Sequence, residues 1–178
     1  MAWHFDETND YVTMADDATL TLPDSDWAIS GWVKLDDNTG SFFQYFLSWN
    51  TVSSASNINV FINEASEPGA ANDISIVTRD AESDLINTVS ASNPFLSNTA
   101  WTHVLVQRVT NTVYIYVDNV LAASATNTGY DVVNPATTWY FGAREDLDAN
   151  RYFGGDLAEF AKWDTSFDRD WETRTLST

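Results

Sequence analysis

The sequence predicts an all-β fold: a two-sheet antiparallel β-sandwich of the jelly-roll kind, with about ten to twelve strands. Three observations predict it. Short runs alternate apolar and polar residues with period two and are rich in β-branched and aromatic side chains. Clusters of Asn, Asp, Ser, Gly and Pro separate these runs at short intervals. No helical periodicity interrupts them before the tail.

The elements follow in order. In FDETNDYV (Phe5–Val12), Thr8-Asn9-Asp10 has turn chemistry, and Tyr11 and Val12 then enter a strand. Trp27–Leu35 (WAISGWVKL) alternates cleanly, as does Asn57–Asn63 (NINVFIN). Phe42–Trp49 and Asp73–Arg79 add strands, with Glu64–Asn72 (EASEPGAAN) as the loop from Asn63 to Asp73. Trp101–Val109 and Thr112–Val117 flank Thr110-Asn111, a tight hairpin in which Asn111 tolerates left-handed backbone. Asp118-Asn119 then suits a type I′ turn into Val120–Ala123. Trp139–Ala143 and Leu157–Trp163 close the β pattern. Only Ser166–Leu176 reads as a short helical turn, N-capped by Ser166 or Asp168, with Asp170 and Glu172 near its positive end. No linker divides residues 1–178, so one domain is expected.

Composition bounds the function. Eight Lys and Arg stand against 26 Asp and Glu, a formal net charge of -18. Neither nucleic acid nor an anionic membrane suits such a chain, because both require a basic stripe. Strong acidity serves solubility first and cation binding second. With no Cys, neither disulfides nor thiolate metal sites arise. The first residues, MAWHFDETND, show no basic and apolar leader pattern, and no run is long and apolar enough to span a membrane as a helix.

Four stretches in order carry a resemblance: FDETNDYVTM; DWAISGWVKL; WTHVLVQRVTNTVYIYVDNVLAAS; and WYFGARED followed by RYFGGDLAEFAKWDTSF. Together they resemble the laminin-G-like branch of the concanavalin A-like lectin/glucanase jelly rolls over nearly the whole chain. The resemblance implies two face-to-face antiparallel sheets, one of them concave, with the chain ends close together. It does not fix an activity, since such folds host lectins, adhesion modules, enzymes and structural proteins. Three departures stand out. Glu7 replaces the Gly of the family's FDG opening, Asn119 replaces the Gly of its VDG hairpin, and Ala158-Glu159 stands where Asp-Glu often precedes the last strand.

Catalysis finds little support. Glucanase relatives carry alternating acids on one strand, which a glycosidase needs on one face. The nearest match, Asp168-Arg169-Asp170-Trp171-Glu172, falls in the tail. The two histidines, His4 and His103, are too few for a zinc site, and no GxSxG motif is present. His103, on a strand between Trp101 and Leu105, reads as a packed strand residue.

Asp146, Asp148 and Asn150 form D-x-D-x-N, an oxygen-ligand spacing that suits calcium. It is no EF-hand, because Arg151 replaces the Gly and no Glu closes the loop. The alternative is a solvated acidic loop neutralised by Arg144 and Arg151. Asp6 or Asp10 is a weaker cation-ligand candidate on the same oxygen-ligand grounds.

Trp32, Trp49, Tyr114, Tyr116 and Trp139 are candidate stacking aromatics for a ligand, against the alternative of core packing. The reading is therefore a non-catalytic binding or structural module without a required cofactor, calcium being the one candidate. A surface or assembly protein, such as a phage virion decoration or tail-fibre component, comes first. A carbohydrate-binding lectin module is the alternative, and a glycoside hydrolase relative a remote one. Expected partners are a protein lattice or a glycan, with the chain particle-bound or a homo-oligomer. Arg79, Arg108, Arg144, Arg151, Arg169 and Arg174 are the scarce cationic anchors, for a partner or for acids of the same chain.

Overall fold

The computed structural model describes residues 1–36, 43–49, 57–62, 73–79, 85–89, 100–128 and 138–167, with backbone alone for 85–89. Twelve strands appear in order: β1 (Ala2–Asp6), β2 (Val12–Met14), β3 (Trp27–Leu35), β4 (Gln44–Trp49), β5 (Asn57–Ile62), β6 (Ile74–Arg79), β7 (Leu85–Val89), β8 (Thr102–Val109), β9 (Thr112–Val117), β10 (Val120–Thr126), β11 (Trp139–Phe141) and β12 (Gly154–Trp163). They pair antiparallel in two six-stranded sheets, ordered β1-β12-β3-β8-β9-β10 and β2-β11-β4-β5-β6-β7. β1 and β7 were not expected from the pattern.

Among the described residues one apolar cluster fills the space between the sheets. It joins Phe5, Trp27 and Phe153 to Phe46, Trp49 and Ile58. In β3 the inward positions Trp27, Ile29, Val33 and Leu35 are buried, while Trp32 between them is exposed. Side chains alternate with the period of a strand, but the outward face is open only toward Trp32 and Lys34, because outward Ala28 and Ser30 are buried too.

The turns use local side-chain bonds. Asp6 Oδ1 accepts from the backbone N–H groups of Thr8 (2.9 Å) and Asn9 (3.3 Å), so the acid at the end of β1 organises the opening turn. Glu7 sits at φ 63°, the left-handed backbone that a glycine would adopt without strain. Asp118 and Asn119 have φ 47° and 67°, as a type I′ hairpin requires.

In the β8–β9 hairpin the positive φ (55°) belongs to Thr110 rather than to Asn111. Neighbours hold this β-branched residue in place. Its N–H donates to Asp26 Oδ1 at 2.7 Å, and its carbonyl accepts from Arg108 Nε at 2.6 Å.

Ala158-Glu159 lies within β12, not ahead of it. Pairing with β3 slips between Ala158 and Ala161, and Glu159 has φ 54°. This bulge reverses the inward–outward alternation, so Phe160 and Lys162 turn toward the space between the sheets. Phe160 is accommodated because residue 31 is glycine: a Cβ there would lie 2.7 Å from the ring.

Ser166 and Phe167 are not helical; they dock through Ser166 Oγ to Asp26 Oδ2 (2.7 Å) and Phe167 N to Gln107 Oε1 (2.8 Å). The rest of the expected helical turn, the acids Asp168, Asp170 and Glu172, the anchors Arg169 and Arg174, and the loop 64–72 lie outside the described residues.

Candidate functional site

The five candidate aromatics separate into two groups. Trp49 and Trp139 leave the list. They are 2% and 4% exposed and stack on each other at 5.3 Å, held opposite by the β4–β11 register. Their area is used in the core, where an aromatic pair adds about 0.5–1.5 kcal/mol beyond burial.

Trp32, Tyr114 and Tyr116 instead share the outer face of the first sheet. Register explains it. Trp32 pairs with His103, and their rings lie 5.2 Å apart. Leu105 pairs with Ser30 on one side and Tyr116 on the other, and Tyr116 pairs with Leu121. Tyr114 lies 6.4 Å from Tyr116, ring to ring. Trp32 is 38% exposed and Leu121 48%, with both tyrosines half-buried. The result is a mixed aromatic and aliphatic surface across β3, β8, β9 and β10.

The Asp146–Asn150 loop has a different character. Arg144 donates Nε to Asp146 Oδ1 at 2.8 Å and Nη2 to Oδ2, so the guanidinium takes both carboxylate oxygens. Asp148 Oδ1 accepts the Asn150 N–H at 2.9 Å, and Asp146 Oδ1 the Asp148 N–H at 3.4 Å. The arginine bond holds the Asp146 carboxyl below its usual range.

The acids thus shape a turn around an arginine that also lies 5.6 Å above the Tyr45 ring. Arg151 sits 4.5 Å over Phe43, and Glu145 N donates to Ser48 Oγ at 3.3 Å. This segment therefore caps the outer face of the second sheet. Burial, and then the nearby Asp146, raise the Glu145 carboxyl above its ordinary value. Asp6 spends its Oδ1 on the opening turn.

One cluster had no signature in the sequence. The β1–β12–β3 register aligns His4, Asp156 and Lys34 in a row. His4 Nδ1 lies 3.0 Å from Asp156 Oδ1, Lys34 Nζ 3.0 Å from Asp156 Oδ2, and His4 Nε2 3.7 Å from Asp36 Oδ2. The bond to Asp156, helped by Asp36, raises the His4 pKa. Burial pushes the Asp156 carboxyl up, but the bonds from Lys34 and His4 outweigh it and hold it below the usual range. The ligand atoms of His4, Asp36 and Asp156 lie within 4.8 Å of one another. The Lys34 ammonium already neutralises one of these acids, which disfavours a cation there. Only strand pairing could reveal this cluster, since its members are far apart in the chain.

Of the cationic anchors, Arg108 is buried, with Nη1 3.2 Å from Asp24, and Arg144 is held by Asp146. Both act within the chain.

The sequence profile of the concanavalin A-like lectin/glucanases superfamily matches residues 6–171. No curated protein sequence matches the chain. Solved structures similar to it include the native heptameric SAP-like pentraxin from Limulus polyphemus, at 12% identity and TM-score 0.66, covering 94% of this chain and 77% of that one. The receptor-binding domain of the botulinum neurotoxin mosaic serotype C/D aligns at 13% identity and TM-score 0.70, covering 98% of this chain. The binding domain of Paraclostridial Mosquitocidal Protein 1 aligns at 11% identity and TM-score 0.68, covering 93%. The chain spans only 42% and 40% of those two toxin chains. At these identities the likeness is one of fold.

Proposed function

The chain belongs to the concanavalin A-like lectin/glucanase superfamily, and we propose that within it this chain is a non-catalytic binding module that works at a surface or in an assembly, such as a phage virion decoration or tail-fibre component. The observation that carries this is the outer face of the first sheet, where Trp32, Tyr116 and Leu121 present apolar surface together. Aliphatic Leu105 and Leu121 among the aromatics favour a protein partner over a glycan. A sugar site pairs its stacking ring with polar groups that bond the hydroxyls, whereas the core of a protein interface is apolar and aromatic. That the similar structures include a heptameric pentraxin and toxin binding domains is in keeping with assembly or binding.

Charge sets the conditions. With a net charge of -18, copies of this chain repel one another in dilute salt. At physiological ionic strength the Debye length is about 8 Å, so short-range apolar contacts decide. Association with a protein lattice, or with further copies, therefore strengthens as salt is added. Calcium at Asp146, Asp148 and Asn150 remains part of the proposal, with the demand that Arg144 release Asp146 first.

The test is light scattering and co-sedimentation across a salt series, for the native chain and for Trp32→Ala with Tyr116→Ala. The expected result is association that grows with salt and disappears in the double variant. Binding that weakens steeply with salt would indicate a basic partner and overturn the reading. The lectin reading gains if a glycan array gives hits that Trp32→Ala removes while the protein remains monomeric.

A further inference from the structure

The two seams of the sandwich differ. At one, β10 and β7, the last strands of their sheets, approach each other. At the other, between β1–β12 and β2–β11, a cavity of about 220 Å³ runs inward from the surface. Its rim carries Trp3 and Met14, both exposed, and its floor reaches the buried Ile29, Leu47 and Trp139. Phe141 and Phe160 form one wall, edge to face at 5.2 Å.

The β12 bulge builds that wall, because it turns Phe160 and Lys162 inward. Lys162 lies at the mouth. Its ammonium donates to the carbonyls of Thr19 (3.0 Å) and Thr21 and pairs with Asp164. Leu20, between the two gripped carbonyls, is thereby held against the apolar cluster at the rim of the cavity.

We propose that this inter-sheet cavity is a binding site for a compact, uncharged, apolar ligand of one or two rings. Size and polarity both support this. A dry cavity of about 150 Å³ lined by aliphatic and aromatic side chains takes up benzene, so about 220 Å³ admits a somewhat larger bicyclic molecule. Two polar groups of the lining are engaged: Lys162 as above, and Thr19 Oγ1 in a 2.7 Å bond to Asp17. No ammonium proton is left to recruit an anionic head, so a carboxylate on the ligand would meet no compensating bond. The site lies between the sheets, apart from the aromatic outer face, and does not depend on that face's function.

Titration calorimetry and thermal melts of the full chain with indole and with naphthalene test it, with octanoate and benzoate as charged comparators. Saturable one-to-one binding of a neutral probe is expected, with a rise in melting temperature that the anions do not give. Leu20→Trp and, separately, Met14→Phe fill the cavity from its rim. Each should weaken the neutral probe at least tenfold while leaving the circular dichroism spectrum unchanged. Using two variants guards against one failing to fold. No melting shift at saturating probe, equal binding of the anions, or undiminished binding in both folded variants would overturn the proposal.

Discussion

The two outer faces of the sandwich obey different rules, although their strands look alike as sequence. In β9 of the first sheet, alternation of sequence matches alternation of burial. Val113 and Ile115 of β9 point in and are buried, while Tyr114 and Tyr116 point out and stay partly exposed. On the second sheet, β5 alternates as cleanly (NINVFI), yet all six residues are buried, as are all six of β4. Its outward Asn59 accepts from Ser48 Oγ at 2.8 Å and donates to Asn57 Oδ1 at 3.4 Å. Tyr45 and Phe61 stack beside them at 4.7 Å. A polar residue on a covered face must find partners inside the protein, whereas one on an open face uses water. On the second sheet Asn57, Asn59 and Ser48 are bonded within the protein, whereas on the first Trp32, Tyr116 and Leu121 reach the surface.

The sharpest way to break this comparison is to truncate one outward residue on each face. Asn59→Ala should cost about 1–3 kcal/mol, because it removes the buried acceptor of the Ser48 hydroxyl. Trp32→Ala should cost less, about 0.2–1 kcal/mol for the lost cross-strand contact with His103. Urea melts of both variants check this, and equal losses would mean that the two faces are not distinct.

A smaller effect is expected where the 143–152 segment caps the second sheet. Arg144→Ala removes the paired bond to Asp146 and the contact with Tyr45, for a loss of about 1–2 kcal/mol. It also frees the Asp146 and Asp148 carboxylates, so millimolar calcium should raise the melting temperature of this variant more than that of the native chain. Native and variant melts with calcium and with EDTA decide it. The bond from Arg144 also gives this loop an acid dependence: stability held above the ordinary Asp range is lost as pH falls through the depressed Asp146 pKa.

The smallest effect belongs to the row on β1, β12 and β3, where His4 is exposed. The His4 pKa is raised, so its contribution is complete below the ordinary histidine value of about 6.5. That contribution fades as pH rises through the higher folded value. A slight fall in melting temperature from pH 6 to 8 is expected, and it should vanish in His4→Ala. An unchanged slope in that variant would assign the effect elsewhere.

Much of the fold was legible in the residues. The bounds of β3 and β9 match the alternation of WAISGWVKL and TVYIYV, and Asp118-Asn119 carries its turn chemistry openly. β1 was hidden because Ala2–Asp6 (AWHFD) has only one buried position and gains its place by pairing with β12. Thr110 shows the same limit at a turn: its left-handed backbone depends on bonds to Asp26 and Arg108, not on its own preference.

The candidate site was legible only as residue types. Sequence by itself determined the all-β class, the acidic surface, the absence of thiol chemistry and a surplus of aromatics, because these follow from composition and from the two-residue repeat of a strand. Tertiary structure alone decided which aromatics face water. Trp32 and Trp49 sit on equally plausible strands, and only the stacking of one sheet on the other buries the second and leaves the first exposed. It also decided that Arg144 takes the oxygens of Asp146 and that the β12 bulge turns Lys162 inward over a cavity. Such outcomes depend on register and on which surfaces meet, and these are set by contacts between residues far apart in the chain.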